Sequence, residues 1–203
     1  MNLKKLLNLS FVFVMFLAFN ASVLAQTFYV NNQTGNDANS GLQGSPKKTV
    51  ASALVAAPTG STISVAVTGI NYTEGNILVA ADEAYTFTTT GAGTAVFVNA
   101  ALTIGTGIAA NTDGSITFTG PFQFTNLTLQ NGVLVNGNNV TIATGGFITR
   151  TTKGSITAGQ LQFAGTASFL YDNPEAVAKT ITMGLEFHTV TAVYVNLTTS
   201  IIV

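Results

Sequence analysis

Phe28-Tyr29-Val30-Asn31, followed by Ser45-Pro46-Lys47-Lys48-Thr49-Val50 and closed by Asn71-Tyr72-Thr73-Glu74-Gly75, is the most telling part of the chain. Thr27 to Val30 reads as a first strand. Asn31 to Gly44 is crowded with Asn, Gly, Asp and Ser, which bond back to their own backbone or accept a positive φ, so a tight ordered loop follows. Ser45 is a good helix N-cap and Pro46 suits a first helical position, which places a helix start there. Val50, Ala53, Leu54 and Ala57 recur at i, i+3, i+4 and i+7 and give that helix one apolar face. Pro58-Thr59-Gly60 ends it, and Ile63, Val65 and Val67 then alternate as a strand does.

Working backwards, Lys4 and Lys5 precede an apolar run from Leu6 to Phe19, and Val23-Leu24-Ala25 offers the short residues that a signal peptidase reads. Residues 1–25 are expected to be a cleaved signal peptide, with Gln26 as the mature N-terminus. The run is short for a membrane span, and no second long apolar run follows. A secreted or cell-surface location is therefore expected.

Working forwards, residues from Asn76 onward form short apolar-polar-apolar triplets separated by turn residues. The clearest are Leu127 to Leu129, Val133 to Val135, Val140 to Ile142 and Phe147 to Thr149, with Asn131-Gly132, Asn136 to Asn139 and Gly145-Gly146 between them. Three such strands per turn give a period of about 20 residues, the mark of a solenoid. Gly114-Ser115-Ile116-Thr117 returns as Gly154-Ser155-Ile156-Thr157, and Gln123-Phe124 as Gln162-Phe163, as though two turns apart. A β-sandwich would need longer strands. No helix is expected after Ala57.

These residues carry a resemblance. Tyr29-Val30, Gly35-Asn36-Asp37, Ser45 to Val50, Ala53-Leu54, Ala56-Ala57-Pro58, Gly60 to Ile63 and Tyr72-Thr73-Glu74 look like the N-terminal cap of the pectate-lyase-like superfamily. Ile70-Asn71 departs from that pattern in a turn. The likeness implies an all-β chain, a right-handed parallel β-helix with a short N-terminal capping helix. Residues 26–75 would be the cap and first turn, and 76–203 the later turns. Asn126 to Thr151 also resembles the repetitive surface proteins of the Bacteroidota. Because stacked arrays end in a polar cap, the apolar finish at Val203 raises two expectations: a chain that continues further, or self-association through an open last turn.

Composition excludes several functions. Charged residues make up 7% of the 203 and cysteine is absent, so neither a nucleic-acid footprint nor a disulfide framework is present. No glycine-rich phosphate loop opens a helix. The single histidine rules out a multi-histidine metal site. From Ala84 to Tyr171 the charged groups are Asp113, Arg150 and Lys153, and one carboxylate cannot make a glycosidase pair or a calcium-assisted lyase site.

The remaining candidates are few. Asp37, Asp82 and Glu83 are the carboxylates to consider for a cation, calcium foremost, although an Asx-turn explains Asp37 as well and a solvated turn explains the pair. Arg150 and Lys153 are candidates for touching an acidic sugar. Asp172, Glu175, Lys179, Glu186 and His188 form a dense titratable cluster or a polar loop. Thr86-Phe87-Thr88-Thr89-Thr90 hints at a threonine face of the ice-binding kind, but the motif does not visibly recur. No cofactor is expected. The leading expectation is an exported module for adhesion, glycan contact or structural display. The alternative is the N-terminal part of a polysaccharide lyase or glycoside hydrolase whose active site lies beyond Val203.

Overall fold

The computed structural model describes residues 25–107, 113–151, 154–158, 161–165, 167–172 and 193–197, with backbone alone at 151, 167–172 and 193–197. Among these, strand pairing within the sheets is parallel throughout. The first sheet pairs, in order, β1 (Thr27–Val30), β2 (Thr62–Ala66), β4 (Ala84–Thr90), β7 (Gly114–Phe118), β9 (Gly132–Val135) and β11 (Ser155–Thr157). The second pairs β3 (Ile77–Ala80), β6 (Ala101–Thr106), β8 (Phe122–Leu129), β10 (Val140–Thr151), β13 (Ala167–Asp172) and β14 (Val193–Leu197). Two short strands join it, β5 (Ala95–Val96) on β8 and β12 (Gln162–Phe163) on β10. From β2 to β13 the chain passes back and forth between the two sheets, with β5 followed by β6 and β12 by β13 within the second. Parallel neighbours need a long crossover, and here strands of the opposite sheet supply it in place of helices.

Register explains the sequence echo. Ser115 pairs with Val133 and Val133 with Ser155, while Ile116, Leu134 and Ile156 line up beside them. Gln123 pairs with Thr141 and Thr141 with Gln162. Each echo is therefore a displacement by two strands. The spacing is less regular than 20 residues: partners lie 18 residues apart at Thr117 and Val135, and 35 apart at Thr27 and Thr62.

The expected triplets also merge. Val140 to Ile142 and Phe147 to Thr149 lie in one long strand, β10, whose pairing with β8 shifts register between Ile142 and Phe147. Likewise the first part of β8 pairs with β5 and its second part with β6. Pairing continues across the bend, so two short strands become one.

The inward positions form the core. Ile63, Phe87 and Phe118 are aligned across the first sheet, and Leu102, Leu127 and Ile148 across the second, all fully buried. Between them the rings of Tyr72, Phe97 and Phe124 stack, with centroids 4.7 and 5.0 Å apart. The helix α1 (Val50–Ala56) buries Val50, Ala53 and Leu54, the face its spacing foretold.

Its start is a correction to the sequence reading. Thr49, and not Ser45, is the N-cap; its side chain accepts the Ser52 N–H at 3.2 Å. Lys47 is withheld from the helix because it pairs with β1. Its N–H donates to the Tyr29 carbonyl and its carbonyl accepts the Asn31 N–H, both at 2.9 Å. A backbone already committed to a strand edge cannot wind, whatever its capping residues.

Candidate functional site

The carboxylates have local work. One Asp37 oxygen accepts the N–H groups of Lys48 and Thr49 at 3.0 and 2.9 Å and the Thr49 hydroxyl at 3.1 Å. It therefore fastens the loop to the foot of α1. Within the loop, Asn31 accepts from Gln33 and Thr34, and Asn36 from Ala38, the Asx-turns its composition suggests. Glu83 accepts the Ala80 N–H at 3.0 Å and so closes the turn that holds Asp82, whose φ is 67°. Among the described residues, no group of three or more His, Cys, Asp or Glu side chains is placed to hold a metal ion.

Glu74 has the most developed surroundings, and the sequence reading gave it no role beyond a place in the resemblance. It is 8% exposed, and its two oxygens accept the N–H groups of Val50 and Ala51 at 2.8 and 3.0 Å. Burial pushes its pKa above the ordinary value. The two N–H bonds oppose that shift, and the Asp37 charge adds to it. An acidic residue just after a conspicuous Tyr, with a helix start nearby short of partners, was the available signal.

Beside α1, a groove of about 310 Å³ is lined by Ala51, Leu54, Val55, Asn76, Leu78, Ala80, Glu83 and Thr106. Val55 and Leu78 are exposed there. The groove is mostly apolar, with one carboxylate that already serves a turn.

Arg150 lies at the end of β10, where its Nε donates to the Gly154 carbonyl at 2.6 Å. That bond ties the corner leading to β11. Lys153, Glu175, Lys179, Glu186 and His188 lie outside the described residues, and the side chain of Asp172 does as well. The expected joint contact of Arg150 and Lys153 therefore lies outside the described residues.

The outward side of the second sheet carries contact chemistry that the sequence reading missed. Ala101, Asn126 and Phe147 are cross-strand partners, as are Thr103, Thr128 and Thr149 in the adjoining column. Phe147 is 37% exposed, and Asn126 Oδ1 accepts its N–H at 3.0 Å. Past the bend, Gln123 aligns with Thr141. Among the described residues, an aromatic ring thus stands beside an amide and a row of hydroxyls. Period-2 alternation marks Phe147 as inward or outward only once register is known, because a one-residue slip flips every side chain. Comparison with known protein families, curated proteins and solved structures finds no match to this chain.

Proposed function

We propose that this chain is an exported right-handed parallel β-helix module that acts by contact and not by catalysis, holding a glycan against the outward side of its second sheet. The observation that carries the reading is Phe147, an exposed aromatic beside Asn126 and Thr128. Sugar rings stack on aromatic faces and exchange hydrogen bonds with amides and hydroxyls, and such a surface needs no cofactor.

The architecture agrees with this reading. Crossovers between parallel strands of one sheet are right-handed in nearly all proteins, and a chain that keeps returning to two parallel sheets is best understood as a solenoid whose first end α1 covers. The cap-like residues from Tyr29 to Glu74 support kinship with the pectate-lyase-like superfamily, and the leader-like residues 1–25 support a cell-surface or extracellular location. Fold does not imply activity, so the glycan contact rests on the surface alone.

The test is retention of the chain on a panel of insoluble neutral and acidic polysaccharides, with Phe147→Ala alongside. Retention by the parent and its loss in the variant, at an unchanged melting temperature, are expected. Release of unsaturated or reducing sugars from the panel would overturn the contact reading in favour of a lyase or hydrolase.

A further inference from the structure

The outward side of the first sheet is built from different material. Thr27, Thr62, Thr86, Thr117, Val135 and Thr157 are successive cross-strand partners from β1 to β11. They form one column, and the only break in its hydroxyls is a valine, which keeps threonine's branched shape. Further hydroxyls flank the column on one side or the other: Thr88 lies two residues after Thr86, whereas Ser115 and Ser155 lie two residues before Thr117 and Thr157. Inward neighbours Ile63, Phe87, Phe118, Ile116 and Leu134 are fully buried, which turns the hydroxyl residues outward, where Thr157 is exposed and the others are half-buried. Among the described residues, the hydroxyls of Thr62, Thr86, Thr88, Ser115 and Thr117 bond to no other protein group.

Two further features concern the sheet itself. None of its six strands contains Lys, Arg, Asp, Glu or His. Its register also runs from β1 to β11 without a shift, whereas the second sheet slips at Val79/Ala80 and again at Ile142/Phe147. The column's hydroxyls therefore stand in one row at the strand spacing of about 4.8 Å. Threonine is stiff at χ1, so little side-chain freedom remains to be lost when the row is occupied.

The partner of such a row is uncharged, repeats at the strand spacing, and can donate and accept along it. A second copy of the chain is a poor match, since sheets pack face to face through apolar side chains. A sugar chain suits the other sheet, which has the exposed phenylalanine and the amides. We propose that the first sheet binds ice. The strand repeat lies close to the oxygen repeat of hexagonal ice, the hydroxyls join the lattice, and the methyl groups order the water between them.

Nanolitre osmometry and ice recrystallisation on the whole chain test this. Faceted crystals, a gap between melting and freezing temperatures, and slowed recrystallisation are expected. Thr86→Tyr with Thr117→Tyr, placed mid-column, loses these effects. Val135→Thr, which completes the column at little risk to folding, widens the gap. Val55→Tyr, on the exposed side of α1, leaves it unchanged. Round, unshaped crystals in the parent chain would overturn the proposal, as would a mid-column double variant that folds and behaves like the parent. Polysaccharide retention together with unshaped ice would overturn ice binding while leaving the glycan reading standing.

Discussion

The carboxylate of Glu74 accepts the backbone N–H of Val50 at 2.8 Å, and so ties the turn before β3 to the first residue of α1. Its second oxygen takes the next N–H, that of Ala51. The opening N–H groups of a helix have no partner within it. Thr49 satisfies the third residue, Ser52, and Glu74 the first two. A charged group is buried here because it completes that set.

Removing it should show. Glu74→Ala strands two N–H groups, one of them on fully buried Val50, and should lower stability by about 2 kcal/mol or more. Urea titration of both proteins checks the figure, and an unchanged midpoint would mean that water replaces the carboxylate freely.

The same residue sets a pH dependence. Burial raises the Glu74 pKa in the folded state, so the folded chain binds this proton more tightly than the unfolded chain does. Its contribution is fully present below the unfolded value of about 4.3 and is lost as pH rises through the raised folded value. The stability of the parent minus that of Glu74→Gln should therefore fall with rising pH across that window. A difference that grows with pH would show the N–H bonds outweighing burial.

The aromatic column is the second point of sensitivity. Phe97 lies between Tyr72 and Phe124, fully enclosed, and Phe97→Ala should cost about 3–5 kcal/mol. The Tyr72 hydroxyl donates to the Ala66 carbonyl at 2.7 Å, and burial pushes its pKa up to about 12, so it remains a donor at any ordinary pH. Tyr72→Phe should cost only about 1 kcal/mol. Melting curves of the two variants should rank in that order.

Gly132 tests the corner between the sheets. A Cβ there would lie 2.5 Å from the Ile104 carbonyl, and backbone cannot yield as a side chain can. Gly132→Ala should lose about 1–3 kcal/mol through overpacking. Gly44→Ala, which meets no atom within 4 Å, is the control expected to melt like the parent.

Asp37 separates a fastening role from a metal role. Its oxygen already accepts three hydrogen bonds from Lys48 and Thr49. Asp37→Ala should lower stability by about 1 kcal/mol. Millimolar calcium or a chelator should leave the parent's melting temperature unmoved. A calcium-dependent rise that Asp37→Ala abolishes would make this carboxylate a ligand.

Local chemistry was legible along the chain. Val50, Ala53 and Leu54 announced their buried face, Asn31 and Asn36 their turns, and the two Gly-Ser-Ile-Thr runs their stacking. Ser45 misled because capping preference is a local property, while the pairing of Lys47 with β1 is a contact across the loop. Glu74 and Phe147 carried weak local signals, for a carboxylate beside a distant helix start and an outward phenylalanine both depend on what folding brings alongside.

Residue pattern alone pointed to short β-strands, the small helix after Thr49 and a sparsely charged chain, since alternation, periodicity and composition belong to neighbouring residues. Which residues share a row was set by folding. Thr86 and Thr117 look unrelated in sequence, and irregular loops between strands hide any repeat. Parallel pairing sets them side by side because backbone hydrogen bonds and core packing fix register, whatever length of chain connects the strands.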